Sequence, residues 1–201
     1  MKRYIILSLT CLLFFSGISA QDITLPVPQI EGGLPLMQAL SKRQTLRTFS
    51  SKELDVQTLS NLLWAANGFN RSDKRTAPTA MNRQELEIYV VLSTGAYWHD
   101  AKNNVLMQKS TEDLRALTGK QDFVATAPLN IIIVADTEKQ AGKEYQYIDA
   151  GYISQNIYLF CASEGLATVV RGMVDREVLA KALNFSDTQA IVVVQTVGYQ
   201  Q

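Results

Sequence analysis

The chain has 201 residues, 47% hydrophobic and 19% charged, with 19 basic and 19 acidic side chains. Those proportions suit a single globular domain and leave no basic field for nucleic acid. Two cysteines and one histidine exclude a Cys/His zinc cage. A Ser-His-Asp triad would have to use His99, in the polar segment Tyr97-Trp98-His99-Asp100.

Lys2-Arg3, an apolar run from Tyr4 to Phe15 and the small-residue exit ending at Ala20 have the layout of a secretory signal. Residues 1–20 are therefore read as a signal peptide, and the mature protein is expected to be exported, in the periplasm. The apolar run is too short for a stable bilayer anchor, so no membrane association is expected after cleavage. Loss of Lys2 and Arg3 leaves 17 basic against 19 acidic side chains, a net charge near −2. Cys161 is then the only thiol, which precludes an intrachain disulfide.

Residues 21–35, rich in Pro and Gly, read as an extended arm, and residues 36–201 as one domain. Leu36 to Lys42 is a short helix. Asp55 is an N-cap for a helix with Val56, Leu59, Leu62, Leu63 and Ala66 at helical spacing, ended by Gly68. Phe69 to Ala77 is a polar loop. Glu87 to Ser93 is a strand, and Val105 to Lys109 a shorter one after a turn at Asn103-Asn104. Glu112 to Leu117 and Gln121 to Thr126 are two short helices separated by Gly119. Asn130 to Ala135 is a β-branched run with the signature of a buried strand.

Lys143 to Gly165 is the longest helical stretch, about 30 Å at 1.5 Å per residue. One stripe holds Tyr145, Ile148, Tyr152, Gln155, Leu159 and Ala162, and another Ala150, Ile153, Ile157, Phe160 and Cys161. A helix apolar round most of its circumference is buried in a core or at a subunit interface. Gly165 is placed to cap it. A loop to Asp175, a helix from Asp175 to Leu183 and a strand from Ala190 to Gly198 complete the chain. The strands are too few for regular βαβ alternation, so the class is α+β.

Three clusters could carry chemistry. Arg43-Gln44-Thr45-Leu46-Arg47 sets two guanidinium forks four residues apart, suited to phosphate oxygens. Pro78-Thr79-Ala80-Met81-Asn82-Arg83-Gln84 lets a flat ligand approach small residues, or is simply a capped turn. Arg171-Gly172-Met173 can offer a backbone N–H, or is simply a loop.

Together the clusters resemble the nitroreductase family of flavin enzymes. The family's Arg-x-Ser-x-Arg-x-Phe is matched by Arg43, Thr45, Arg47 and Phe49, with the hydroxyl kept at Thr45. Its Pro-Ser-x-x-Asn-x-Gln segment is matched by Pro78, Thr79, Asn82 and Gln84. The Gly-Leu after its central helix is matched by Gly165-Leu166, and the final Val-Gly by Val197-Gly198. Leu62 to Gly68 and Arg171-Gly172 look most like the SagB-type dehydrogenase branch. No counterpart of the catalytic Lys/Tyr pair of azoline-oxidising members is present, so peptide oxidation is not implied.

The resemblance implies an antiparallel-rich central sheet flanked by helices, with the long central helix at the interface of a homodimer and an FMN at each interface. Arg43, Gln44, Thr45 and Arg47 would hold the FMN phosphate and ribityl chain. Pro78, Thr79, Ala80 and Asn82 would contact the flavin from the other subunit. Arg171, Gly172 and Met173 would lie beside the isoalloxazine, with Gln121 reaching the ring. The flavin does the chemistry in such enzymes, so no catalytic side chain is nominated and a ping-pong hydride transfer to a small electron-poor acceptor is expected. NAD(P)H is the family's expected donor, yet it is scarce outside the cytoplasm, so export implies another donor or a periplasmic flavin supply. Two alternatives are a non-catalytic flavin-binding or storage dimer and a flavin oxidase of a small modified metabolite.

Overall fold

The computed structural model describes residues 21–201, so the signal-peptide reading of residues 1–20 lies outside the described residues. In chain order the strands are β1 (Ile23–Thr24), β2 (Phe69–Arg71), β3 (Lys74–Arg75), β4 (Leu86–Leu92), β5 (Gly95–Asp100), β6 (Val105–Ser110), β7 (Leu129–Asp136), β8 (Leu166–Arg171) and β9 (Gln189–Tyr199). The helices are α1 (Leu36–Lys42), α2 (Val56–Asn67), α3 (Lys143–Glu164) and α4 (Arg176–Ala182). Seven strands form one antiparallel sheet in the order β1-β6-β5-β4-β7-β9-β8, and β2-β3 is a separate small hairpin.

β7 lies at the centre because it can bury both faces. Ile131 and Ile133 pack toward α2 and α3 with Leu62, Leu63, Ile153 and Ile157. Ile132 and Val134 pack on the opposite face with Leu179, Leu183 and Val194. A strand covered on both sides needs no alternation, which is why Asn130 to Ala135 reads as one apolar run.

α3 divides its two stripes between two environments. Ala150, Ile153, Ile157 and Cys161 are in the core, whereas Tyr145, Ile148 and Tyr152 remain 44–51% exposed. The expectation of burial nearly all round is thus met on one side and leaves the other face open. Gly165 ends the helix at φ 70°, a left-handed geometry that a Cβ disfavours, as expected. Asp55 caps α2 by accepting from Thr58 N–H at 2.9 Å, and Asp175 caps α4 in the same way through Val178.

Four sequence expectations need correction. Phe69 to Ala77 contains the β2-β3 hairpin, closed by the Arg75 guanidinium lying 4.3 Å from the Phe69 ring. Residues 95–100 form β5, which returns from β4 through the two-residue connection Ser93-Thr94. Gly95 is required there, since a Cβ would run into the Ser110 carbonyl oxygen. The supposed loop before Asp175 begins as β8, paired to β9 from Leu166↔Tyr199 to Arg171↔Val194. The two short helices before β7 shrink to single 3₁₀ turns, Arg115–Thr118 and Asp122–Ala125.

Candidate functional site

The arginine segment follows α1 and runs along the outer edge of β8. Leu46 N–H donates to Thr168 O at 3.1 Å, adding a rung to the edge. Leu46 and Phe49 then pack with Ala127, Ala167 and Val169. Tyr158, from α3, ties the segment down: its hydroxyl accepts from Val170 N–H (3.2 Å) and lies 3.1 Å from Thr45 Oγ1. The Arg43 guanidinium sits over the same ring, 5.4 Å from its centroid, while Gln44 and Arg47 are exposed. A cavity of about 430 Å³ opens beside this segment, lined by Lys42, Arg43, Gln44, Tyr158, Thr168 and Gln200 among others. Its lining holds two cationic side chains and no acid. Cys161 also borders it, but burial pushes its thiol well above the ordinary range, so it is not a nucleophile.

The second cluster forms a tight turn from Thr79 to Gln84. Met81, Asn82 and Gln84 all have φ near 50°, an unfavourable conformation for residues with a Cβ. Side-chain bonds hold it. Thr79 Oγ1 accepts from Gln84 N–H (3.0 Å), and the Gln84 amide bonds Asp73 O and Asn82 Oδ1. Arg75 Nε donates to Gln84 Oε1 at 3.1 Å, linking the turn to the hairpin. From α3, Asp149 Oδ2 accepts from Ala80 N–H at 3.0 Å. Pro78, Met81 and Asn82 are exposed, and Thr79 and Ala80 half-buried.

Asp149 and Tyr158 are nine residues apart, about 14 Å along α3 and half a turn around it. The turn and the arginine segment therefore sit on opposite flanks of one helix. A single protomer does not bring Pro78, Thr79, Ala80 and Asn82 to Arg43, Thr45 and Arg47.

The third cluster divides. The Arg171 guanidinium is buried and directed into the fold, donating to Thr118 O, Gln121 Oε1, Asn130 Oδ1 and Thr196 Oγ1 at 2.9–3.3 Å. A Cβ at Gly119 would collide with it. Burial without a carboxylate partner lowers its pKa to about 10, still charged at neutral pH. Gln121 is thus engaged by Arg171, while Gly172 and Met173 emerge exposed at the end of β8. What Arg171-Gly172-Met173 can present outward is backbone and the Met173 side chain.

Sequence reasoning missed Tyr158, Asp149 and Glu85 as members of the site. Tyr158 and Asp149 act from α3, far away in sequence, and Glu85, though it directly follows the turn, has no local motif to mark its side chain as buried. His99 is buried with Nε2 unpartnered, and burial drives its pKa down to about 4, so it is neutral at physiological pH. It lines a separate cavity of about 210 Å³ with Asn67 and Arg75. Among the described residues no group of three or more His, Cys, Asp or Glu could hold a metal ion, and no helix is long and apolar enough to cross a membrane.

The sequence profile described as the Nitroreductase family matches residues 40–199. The chain belongs to the nitroreductase family. This nitroreductase-family chain is 32% identical over 165 residues to a candidate nitroreductase of Methanocaldococcus jannaschii, covering 73% of this chain and 82% of that one. A crystal structure of a candidate nitroreductase from Ralstonia eutropha JMP134 is 38% identical, with a TM-score of 0.86 over 92% of both chains. A Desulfovibrio desulfuricans structure solved in complex with FMN is 18% identical, with a TM-score of 0.64 over 84% of this chain and 88% of that one, and shares the fold.

Proposed function

We propose that this nitroreductase-family oxidoreductase binds FMN and passes hydride from a donor to a small electron-poor acceptor in alternating half-reactions. The observation that carries the reading is the cavity beside Arg43, which has two cations and no acid in its lining. Such a site suits a phosphate, which Arg grips with a charged fork. Thr45 and the Tyr158 hydroxyl would orient the polyol next to it. Gly172, exposed at the end of β8, leaves its N–H free of side-chain cover for a ring nitrogen. Bound FMN would supply the hydride chemistry, and the protein its placement and the exclusion of water.

Two copies are part of the proposal. The 78–82 turn lies across α3 from the arginine segment, so one flavin would need the segment of one copy and the turn of another. The open face of α3, with Tyr145, Ile148 and Tyr152, and the exposed Leu36 and Met37 of α1 give the copies an apolar surface to bury. Leu62 to Gly68 and Arg171-Gly172 place the chain nearest the SagB-type branch in this reading. The 1–20 segment proposes a periplasmic site of action with a donor other than NAD(P)H. Recovery of the processed protein in the cytoplasmic fraction would refute that location.

Purified residues 21–201 are expected to keep flavin absorption bands after FMN addition and gel filtration, and to elute as a dimer. Arg43→Ala/Arg47→Ala is expected to weaken FMN binding at least about tenfold through lost charge-assisted bonds. A colourless, monomeric wild type after the same treatment would overturn the assignment.

A further inference from the structure

Glu85 ends the 79–84 turn and begins the sheet. Its own carbonyl accepts from Asp136 N–H at 2.9 Å, one residue before the Leu86↔Ala135 pair, so its backbone is fixed. Its side chain points inward and has no accessible surface. Apart from the residue's own backbone N–H, no donor among the described residues serves either carboxyl oxygen. The group within hydrogen-bonding reach is the carboxyl of Asp149, itself 2% exposed and already accepting from Ala80 N–H. Two ionised carboxylates can only accept, so no hydrogen bond joins them unless one carries a proton.

The charged groups around the pair come from every element packed on it. α3 contributes Asp149, and the 137–142 connection contributes Lys139. Lys139 is already engaged by Asp136 of β7 (3.4 Å) and Glu87 of β4 (3.9 Å). The turn contributes Arg83, whose exposed guanidinium donates to Lys139 O instead. No cation forms a salt bridge with either carboxyl among the described residues. Burial of the Glu85 carboxyl beside a second acid and without a cation favours its protonated form. Burial above all holds the Glu85 carboxyl above the usual carboxylate range; its own backbone N–H opposes this, the neighbouring Asp149 adds to it, and Lys139 opposes it weakly.

We propose that Glu85 and Asp149 share one proton beneath the 79–84 turn, and that this Glu85 O–H···Asp149 carboxylate···H–N Ala80 chain sets the turn in its flavin-facing shape. Glu85 is then a positioning residue, acting through Asp149 on Ala80. The flavin-facing role rests on the FMN reading given above; the shared proton does not. Loss of the proton to solvent converts the bond into two neighbouring buried like charges. The turn is the element that yields, because its left-handed residues already oppose its shape. FMN affinity therefore falls as pH rises, although the arginine segment is untouched.

The linkage has one sign. A carboxyl whose folded pKa is raised contributes stability that is lost as pH climbs from its unfolded value, near 4.5, through its folded value. In Glu85→Gln an amide replaces the O–H donor and carries no titrating proton.

The FMN dissociation constants of wild type and Glu85→Gln, measured from pH 6 to 9.5 by flavin fluorescence, test the proposal. The ratio of wild-type to variant constant is expected to rise by up to about tenfold per pH unit once the pair deprotonates. FMN's own ionisation cancels in that ratio. A ratio constant across the range overturns the proposal. Thermal unfolding of the flavin-free proteins over the same pH range decides the matter if neither binds FMN. Wild type is expected to lose stability relative to the variant as pH rises, and parallel curves overturn the shared proton independently of the flavin. Infrared difference spectra of wild type answer the same question should the variant fail to fold. A protonated-carboxyl stretch at pH 7 that disappears on alkalinisation supports the pair, and its absence at pH 7 overturns it.

Discussion

The two flanks of α3 hold their candidate residues by opposite means. On the Tyr158 flank the arginine segment rests on a backbone rung to Thr168, a tyrosine hydroxyl and a small apolar cluster. On the Asp149 flank the turn rests on left-handed backbone and a pair of buried acids. Neutral anchors keep their geometry over the ordinary pH range. A shared proton does not. The two halves of one proposed binding site should therefore fail under different conditions.

Asp149→Ala should separate the flanks most strongly. It leaves the Ala80 N–H and the Glu85 carboxyl without their partner, a loss of about 2–3 kcal/mol by the usual cost of an unmet buried polar group. Chemical denaturation at pH 7 measures it, and the pH dependence of stability that Glu85 contributes should change but not vanish, because burial still holds its carboxyl up. A loss below the error of the measurement would mean that the turn does not depend on α3.

Tyr158→Phe is the matching test on the other flank. It removes one hydroxyl from Thr45 and Val170 N–H and should lower stability by about 1 kcal/mol. Its unfolding midpoints should run parallel to wild type with pH, which the Asp149 variant should not do. Weakened FMN binding at every pH, rather than only in alkali, is the accompanying expectation.

The smallest effect belongs to Met81→Gly. Met81 is 83% exposed with φ 55°, so glycine removes left-handed strain without removing packing. A gain of up to about 1 kcal/mol is expected, less the added chain entropy. An unchanged denaturation midpoint would show that these two terms cancel.

Much of the scaffold was legible because its signals are local. Asp55 and Asp175 announce helix starts through a carboxylate three residues before an N–H, and Gly165 announces a stop. β7 showed itself by β-branched density. β5 and β8 did not. β5 begins at a glycine and carries the polar pair His99-Asp100, and β8 is flanked by Gly165 and Gly172, so both read as connections. Only the strand alongside each supplies the bonds that make it a strand: β4 and β6 for β5, β9 for β8.

Arg171 shows the same division within the candidate site. Its place beside a glycine suggested an outward, ligand-facing group, but the Asn130, Thr196 and Thr118 acceptors turn its guanidinium inward. Those partners are 25 to 53 residues away in sequence, and no spacing rule joins them.

By itself the sequence determined the bounds of the four α-helices, the central apolar strand and the order of the motifs that mark the nitroreductase family. These depend on residues within a turn or two of one another. The tertiary structure alone decided that the arginine segment and the 78–84 turn lie on opposite flanks of α3, that Tyr158 anchors one, and that Asp149 and Glu85 underlie the other. Those outcomes depend on which side chains long-range packing brings together in a medium where an unpaired charge is costly, and that medium exists only once the chain has folded.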